Sequence, residues 1–360
     1  MQLEKQLYNK VLGNIVGSAI GDAMGAPMEM WSREDIKASY GFVDKLFPLN
    51  REASPEGPWK ENLPAGGTTD DTRWKELVFK YLSKQKSKEL DAKEFASEIL
   101  AFYDNAHLGN DKENLKFLKT AWVQEWVKVA RPFKADNLVG FADGLSSFYG
   151  GEMVCAGLLY ATAIGAFFPE EPLRAYNEMY KLSIFDIGYA RDLSGLSAAM
   201  TAVSMAEKPS KESVIEVLKT IDPYHYAESR LVGRTSSKIL DNALDIAEKS
   251  KGKSIETAFE MLDAQLQDMP FHAGEIYLQV LVAMFYSDFK FEETMQFLVN
   301  YGRDNDTTAA LAGGILGTFH GFDALPYSEA KAVIKVSKEE LNIDLEKLAK
   351  ELTNTLLEVV

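Results

Sequence analysis

Cysteine is almost missing from this 360-residue chain: Cys155 is the single example. No disulfide can form within the chain, and no cysteine-built zinc site is available. Such a chain suits a reducing compartment. Positive charge is also in deficit, with 39 Lys and Arg against 54 Asp and Glu, a net charge of −15. A surface of that sign repels phosphate backbones, which argues against a nucleic-acid partner bound through a basic footprint. A phosphate-bearing small molecule stays open, because local cations can invert the field inside a cleft. Long apolar runs are lacking too. The apolar stretch after Lys10 is broken by Gly13, Asn14, Gly17, Ser18, Gly21 and Asp22, so neither a signal peptide nor a membrane span is expected. The expectation is a cytoplasmic protein with no membrane partner. Histidine is scarce at four residues, and no two of them stand at i, i+4 as in a zinc helix. His107, His225, His272 and His320 are therefore expected to be structural, with His272 the best exception because it stands on a loop before a helix.

Strand signals are scarce as well. No run of alternating β-branched residues bounded by tight turns is found. Apolar residues instead recur three and four apart over Leu100–Tyr103, Leu115–Val129, Ala156–Phe168, Pro172–Leu182, Leu196–Ala206 and Ser213–Leu218. Further helices are expected at Lys238–Glu248, Ile255–Leu266, Glu275–Tyr286, Phe291–Val299, Ala309–Phe319 and Ile343–Leu357. Asp91 with Glu94 reads as a capping box, Ser210 as a helix start, and Pro172 as a first helical residue. Hydrophobic residues make up 46 % and charged residues 26 %, enough for a real core. The glycine- and proline-rich stretch Asn50–Gly67 reads as a long loop, which in a folded protein is usually functional. An all-α chain with one domain spanning 1–360 is expected.

Two acidic clusters stand out. Thr69-Asp70-Asp71-Thr72 opens the helix that follows from Arg73 to Leu82. Asp304-Asn305-Asp306-Thr307 opens another, rich in Ala309, Ala310, Ala312, Gly313 and Gly314. Adjacent carboxylates repel by about 1 kcal/mol at ~4 Å even in water. Helix capping and the helix dipole explain one acid at each start, but not the whole set. Carboxylate and hydroxyl oxygens suit a hard cation such as Mg²⁺ or Mn²⁺ rather than Zn²⁺. Two acid–threonine clusters match the ligand set of a dinuclear site. Glu29, beyond Pro27, falls where a loop can reach a cleft, while Asp22 reads as a buried structural acid. Cys155 is expected to be inert within an apolar helix.

The order Gly17-x-x-x-Gly21-Asp22-Ala23-x-Gly25-x-Pro27-x-Glu29, then Thr69-Asp70-Asp71-Thr72, then Gly302-x-Asp304-x-Asp306-Thr307-x-Ala309-Ala310-x-x-Gly313-x-x-x-Gly317 resembles the ADP-ribosylglycohydrolase family. The resemblance covers nearly the whole chain. It implies an orthogonal helical bundle with a central dinuclear metal cleft holding two Mg²⁺, or Mn²⁺ in their place. By motif, Thr69, Asp70, Asp71, Asp304, Asp306 and Thr307 become the metal ligands, and Glu29 or Asp70 the acid–base group. The implied reaction is hydrolysis of the anomeric bond of ADP-ribose carried by a protein or a small molecule, or of a related riboside.

The middle of the chain departs from the family pattern. Many relatives carry a Gly-Asn-Gly loop, then Met-Arg, and later a histidine. This chain reads Ser147-Phe148-Tyr149-Gly150-Gly151-Glu152-Met153-Val154 and Ser183-Ile184-Phe185-Asp186. Tyr149, Gly150, Gly151 and Phe185 are expected to line the substrate site in place of the missing groups. The contrasting expectation is a non-enzymatic, crystallin-like structural or ligand-binding protein on the same fold. An all-α diphosphate lyase would need a third acid after Asp70-Asp71, and none is there.

Overall fold

Glycines set the spine of the molecule. In this computed structural model, which describes residues 2–50, 62–107 and 121–359, the helix α1 (Gln2–Gly25) runs antiparallel against a second long helix, Asn305–His320. The contact has no room for side chains. A Cβ added at Gly13 would stand 2.2 Å from the Gly317 carbonyl oxygen, and one at Gly25 would stand 2.4 Å from the Asp306 Cα. The spacing of four along both helices keeps the small residues on one stripe. That stripe brings the C-terminal end of α1 to the first turn of the other helix.

The described residues hold seventeen α-helices and one short antiparallel pair, Leu49–Asn50 with Asn62–Leu63. After α1 come α2 (Arg33–Tyr40), α3 (Asp70–Leu82), α4 (Ala92–His107), α5 (Ala121–Lys134) and α6 (Leu138–Ser146). Next are α7 (Leu158–Ala166), α8 (Pro172–Leu182), α9 (Ala190–Ser204), α10 (Lys211–Thr220), α11 (Thr235–Ser250) and α12 (Ile255–Asp263). The last five are α13 (Ala273–Tyr286), α14 (Phe291–Tyr301), α15 (Asn305–His320), α16 (Tyr327–Glu340) and α17 (Leu345–Glu358). The fold is all-α. α1 and α15 lie at the centre, flanked by α3, α7, α9, α14 and α17. α7 and α15 are buried along nearly their whole length. No described helix is long and apolar enough to cross a membrane.

The helical expectations hold in place and type, with shifts at the ends. Pro172–Leu182 is matched to the residue, as the proline at the first turn demands. Periodicity starts the last central helix at Ala309, whereas α15 begins four residues earlier, at Asn305. Acid and threonine residues carry no apolar signal, so period alone cannot see that first turn. α6 and α16 were not anticipated, because α16 buries only four residues along its length. The helix start expected at Ser210 is there, closed by a capping box with Ser213. At Asp91 only half of one forms. Its carboxylate accepts from the backbone N–H groups of Lys93 and Glu94, but its own N–H goes to the Tyr81 hydroxyl rather than to Glu94. Most of the loop expected over Asn50–Gly67, and the start of the helix expected at Leu115–Val129, lie outside the described residues.

Candidate metal centre

The site begins with the first turn of α3. Thr69 caps that helix, accepting from the Asp71 N–H at 3.4 Å. Asp22 of α1, fully buried, fixes the turn from behind. One of its oxygens accepts from the Thr69 N–H at 2.9 Å and the Thr69 hydroxyl at 3.0 Å. The other accepts from the Thr72 N–H at 3.1 Å and the Thr72 hydroxyl at 2.6 Å. Both threonines thus turn donors to Asp22, the Thr69 hydroxyl sharing its hydrogen between Asp22 and Asp306, and Asp70 and Asp71 line the cleft.

The second cluster comes to meet the first. Asp304 stands at the N-cap of α15 without making a side-chain cap bond, and Asp306 follows two residues later, within the first turn. Two bonds cross between the clusters: Thr307 to Asp71 at 3.1 Å, and Thr69 to Asp306 at 3.3 Å. Glu29 arrives from the chain after α1. Its loop is stapled to the second cluster by backbone bonds from Met30 to Arg303 at 2.7 Å and from Arg303 to Trp31 at 3.2 Å. Met30 and Arg303 both take left-handed backbone, at φ 64° and 65°. Glu29, Asp304 and Asp306 end with carboxylate oxygens all within 4.8 Å of one another.

Burial and mutual repulsion act on these acids together. Burial first, then the charges of Glu29 and Asp304, hold Asp306 well above the usual carboxylate range. Asp70 opens partly to the cleft but is packed closely enough that burial, then Asp71 and Glu29, raise it well above its ordinary value. Asp71 is pushed up to about 8 by burial, against the pull of Lys75. Burial likewise lowers Lys75, against the fields of Asp71, Asp22, Asp70 and Asp306. Asp71 Oδ1 and Asp306 Oδ1 are buried with no hydrogen-bond partner among the described residues. Such oxygens are costly unless something positive completes them. An all-oxygen donor set of carboxylates and threonine hydroxyls suits a hard divalent cation, so the residues present fit one.

The acids form the floor of a cleft with about 560 Å³ of empty space, whose apolar wall includes Trp126, Tyr149, Cys155, Leu159 and Phe271. Trp126 is stacked on Trp74 with ring centroids 3.5 Å apart. Tyr149 sits in left-handed backbone at φ 43°, its N–H held by Glu125 at 2.9 Å, and packs edge-on against Phe271. Gly150 and Gly151 continue that turn at positive φ but do not line the cleft. Phe185 does not line it either. It is 1 % exposed and packs behind Trp126, ring centroids 4.1 Å apart, so it supports the wall rather than forming it.

Three other expectations meet the structure here. Cys155 is not inside a helix: it precedes α7, donates its N–H to the Phe271 carbonyl, and faces the cleft. Burial and the nearby acids raise its thiol well above its ordinary value, which disfavours the thiolate. His272 is the N-cap of α13, its Nδ1 accepting from Gly274 at 3.1 Å. His320 bonds the Phe289 carbonyl, and His225 is an exposed turn residue near Glu228. The His107 side chain lies outside the described residues. Sequence reasoning passed over Trp126 and Phe271, which carried no signal beyond being aromatic. It also passed over Lys75, which reads as one more charge on a surface helix.

A sequence model of the ADP-ribosylglycohydrolase family matches residues 3–358. The chain belongs to the ADP-ribosylglycohydrolase family. The family is hydrolytic and metal-dependent, and acts on ADP-ribose-type substrates. A solved structure, an ADP-ribosylglycohydrolase-related protein complex, is similar over 98 % of this chain and 99 % of that chain, with 19 % identity and a TM-score of 0.61. At that identity the likeness carries the fold. No curated protein sequence matches the chain. Family membership gives the acidic cluster a reason that helix capping alone does not: it is a group of buried oxygens able to take a cation.

Proposed function

We propose that this protein is a divalent-metal-dependent glycohydrolase that cleaves the anomeric bond of ADP-ribose, or of a related riboside, from a protein or small-molecule acceptor. The observation that carries the reading is the convergence of Glu29, Asp304 and Asp306 within 4.8 Å at the floor of an aromatic-walled cleft. Glu29, Asp304 and Asp306 would hold Mg²⁺ or Mn²⁺, with Thr69, Asp70, Asp71 and Thr307 completing the oxygen set. A bound divalent ion would supply fixed positive charge that orients vicinal ribose hydroxyls and helps a water lose its proton.

The chain's own residues divide the remaining work. Anomeric cleavage builds positive charge on the sugar, and the carboxylates at the cleft floor face it. A general base must be reachable from the cleft and able to lose its proton at working pH. Asp70 meets the first condition, but burial and then the charges of Asp71 and Glu29 raise it well above its ordinary value, and its oxygens belong to the set offered to the ion. Glu29 sits half-buried at the same floor, and takes the acid–base role through the carboxylate oxygen that is not part of the tight group. Tyr149, Trp126 and Phe271 offer ring faces and edges to a sugar or a base, and they exclude water from one side of it. Gly150 and Gly151 keep the Tyr149 turn in the left-handed backbone it needs. The site draws on residues from Asp22 to Thr307, so one functional domain of 1–360 is part of the proposal.

The test is an assay of the protein with Mg²⁺ or Mn²⁺ for release of ADP-ribose from modified arginine, from modified serine and from simple ribosides. Asp70→Ala and Asp304→Ala are expected to bring any release to background. Release that survives both substitutions sinks the site assignment. Absence of divalent binding in calorimetry would instead favour the crystallin-like alternative.

A further inference from the structure

The proposed reaction leaves Lys75 without a task. Its side chain is 1 % exposed, on α3, one helical turn after Asp71, and its Nζ stands 3.9 Å from Asp71 Oδ1. Neither Nζ nor Asp71 Oδ1 has a hydrogen-bond partner among the described residues. Asp71, Asp22, Asp70 and Asp306 all act on the ammonium. A space-filling role does not explain it. An apolar side chain of similar length would fill this place without the cost of desolvating a charge, a cost repaid only where opposite charge surrounds it.

The two oxygens of Asp71 are both engaged on the protein's own account. Oδ2 accepts from the Thr307 hydroxyl at 3.1 Å, and Oδ1 faces Lys75. The tight oxygen group lies elsewhere, in Glu29, Asp304 and Asp306, and does not include Asp71. A second divalent ion at the Asp71 side would compete with the ammonium for the same oxygen. In a buried cluster that repulsion is poorly screened by salt or water.

We propose that Lys75 is a resident counter-ion, which occupies the Asp71 side of the cluster and limits the centre to a single divalent ion held by Glu29, Asp304 and Asp306. The proposal rests on the metal-dependent reading above, withdraws Asp71 from the oxygen set named there, and replaces the pair of ions expected from the sequence. Lys75 is a positioning residue here, not a catalytic one.

The experiment is equilibrium dialysis of the full chain against Mn²⁺ alone, with no substrate, for the wild type, Lys75→Met, Lys75→Gln and Lys75→Arg. The expected count is one ion per chain in the wild type and in Lys75→Arg, rising to two in Lys75→Met and Lys75→Gln. A lysine that only fills space would change the melting temperature of these variants but leave the count alone. Lys75→Gln carries the comparison should Lys75→Met fail to fold. Two ions in the wild type overturn the proposal while leaving the metal-dependent reading intact. One ion in every variant at unchanged affinity overturns it as well. No ion bound by the wild type overturns the metal-dependent reading, and this proposal with it.

Discussion

Thr72 donates its hydroxyl to Asp22 at 2.6 Å and its backbone N–H to the same carboxylate oxygen at 3.1 Å. With the matching pair from Thr69, Asp22 receives four bonds in a place with no access to water. Asp22→Ala strands four donors at the start of α3, and a buried charged network loses about 3–5 kcal/mol when one partner is removed. Asp22→Asn keeps one acceptor oxygen and should cost clearly less. Denaturant unfolding of the metal-free protein separates the two. Equal stability of Asp22→Ala and the wild type would show that Asp22 does not organise the first cluster.

The acids predict how the protein responds to pH. Asp71 titrates at about 8 in the fold against 3.8 as its ordinary value, and Asp306 is raised well above 3.8. The folded metal-free state therefore binds more protons than the unfolded chain across this window. By linkage, these groups stabilise the metal-free protein at low pH, and that contribution is lost as pH rises from about 4 through 8. A cation held by Asp306 needs that carboxyl deprotonated, so apparent affinity for Mg²⁺ should climb as pH rises through this window, with release of protons. Calorimetry in two buffers of different ionisation enthalpy counts those protons. Affinity that is flat over the window would mean these carboxylates are already ionised without metal.

The site owes its existence to the seam between α1 and α15. A Cβ at Gly21 would come within 2.0 Å of the Ala309 carbonyl oxygen, one residue from Asp22 and three from Asp306. Gly21→Ala cannot be absorbed by a rotamer change, because the clash is with backbone. Overpacking of this kind costs about 1–3 kcal/mol where the structure can yield. Here the yielding separates the two ends of the metal centre. Gly21→Ala should lower the melting temperature and also weaken Mg²⁺ binding, whereas a clash far from the site would do only the first.

The seam also marks where the sequence was readable. Glycines four apart, with Asp22 and Glu29 at one end and Asp304 and Asp306 at the other, carry both the fold and the acidic floor in local pattern. Helices such as Pro172–Leu182 are legible because period and proline agree. Of the cleft wall only Tyr149 was legible. Trp126 and Phe271 come from other stretches, and only tertiary packing puts them beside it. Phe185 shares their chemistry and is hidden behind Trp126, a difference no spacing encodes. Lys75 was invisible for a related reason: helix periodicity places a charge on a face, but the neighbours of that face decide whether it is buried.

Arg303 gives the last prediction. Its guanidinium meets Glu275 through Nε at 2.8 Å and Nη2 at 2.9 Å, and Nη2 also reaches the Gln267 carbonyl at 2.8 Å. Glu275 is 3 % exposed, so its charge depends on this fork. Arg303 is also the residue whose backbone staples the Glu29 loop to the second cluster. Arg303→Met leaves the buried carboxylate without its charge partner, held by the Gln267 N–H at 2.7 Å and the Gln279 amide at 2.9 Å, and should cost about 3 kcal/mol. Glu275→Met added to it removes that stranded charge, so the double variant should recover part of the loss. Metal affinity should follow a different course. Arg303→Met frees the loop that carries Glu29, and the double variant does not tie it down again, so weak binding should persist as stability returns. Binding that recovers in step with stability would show that the Arg303–Glu275 pair stabilises the fold without placing Glu29.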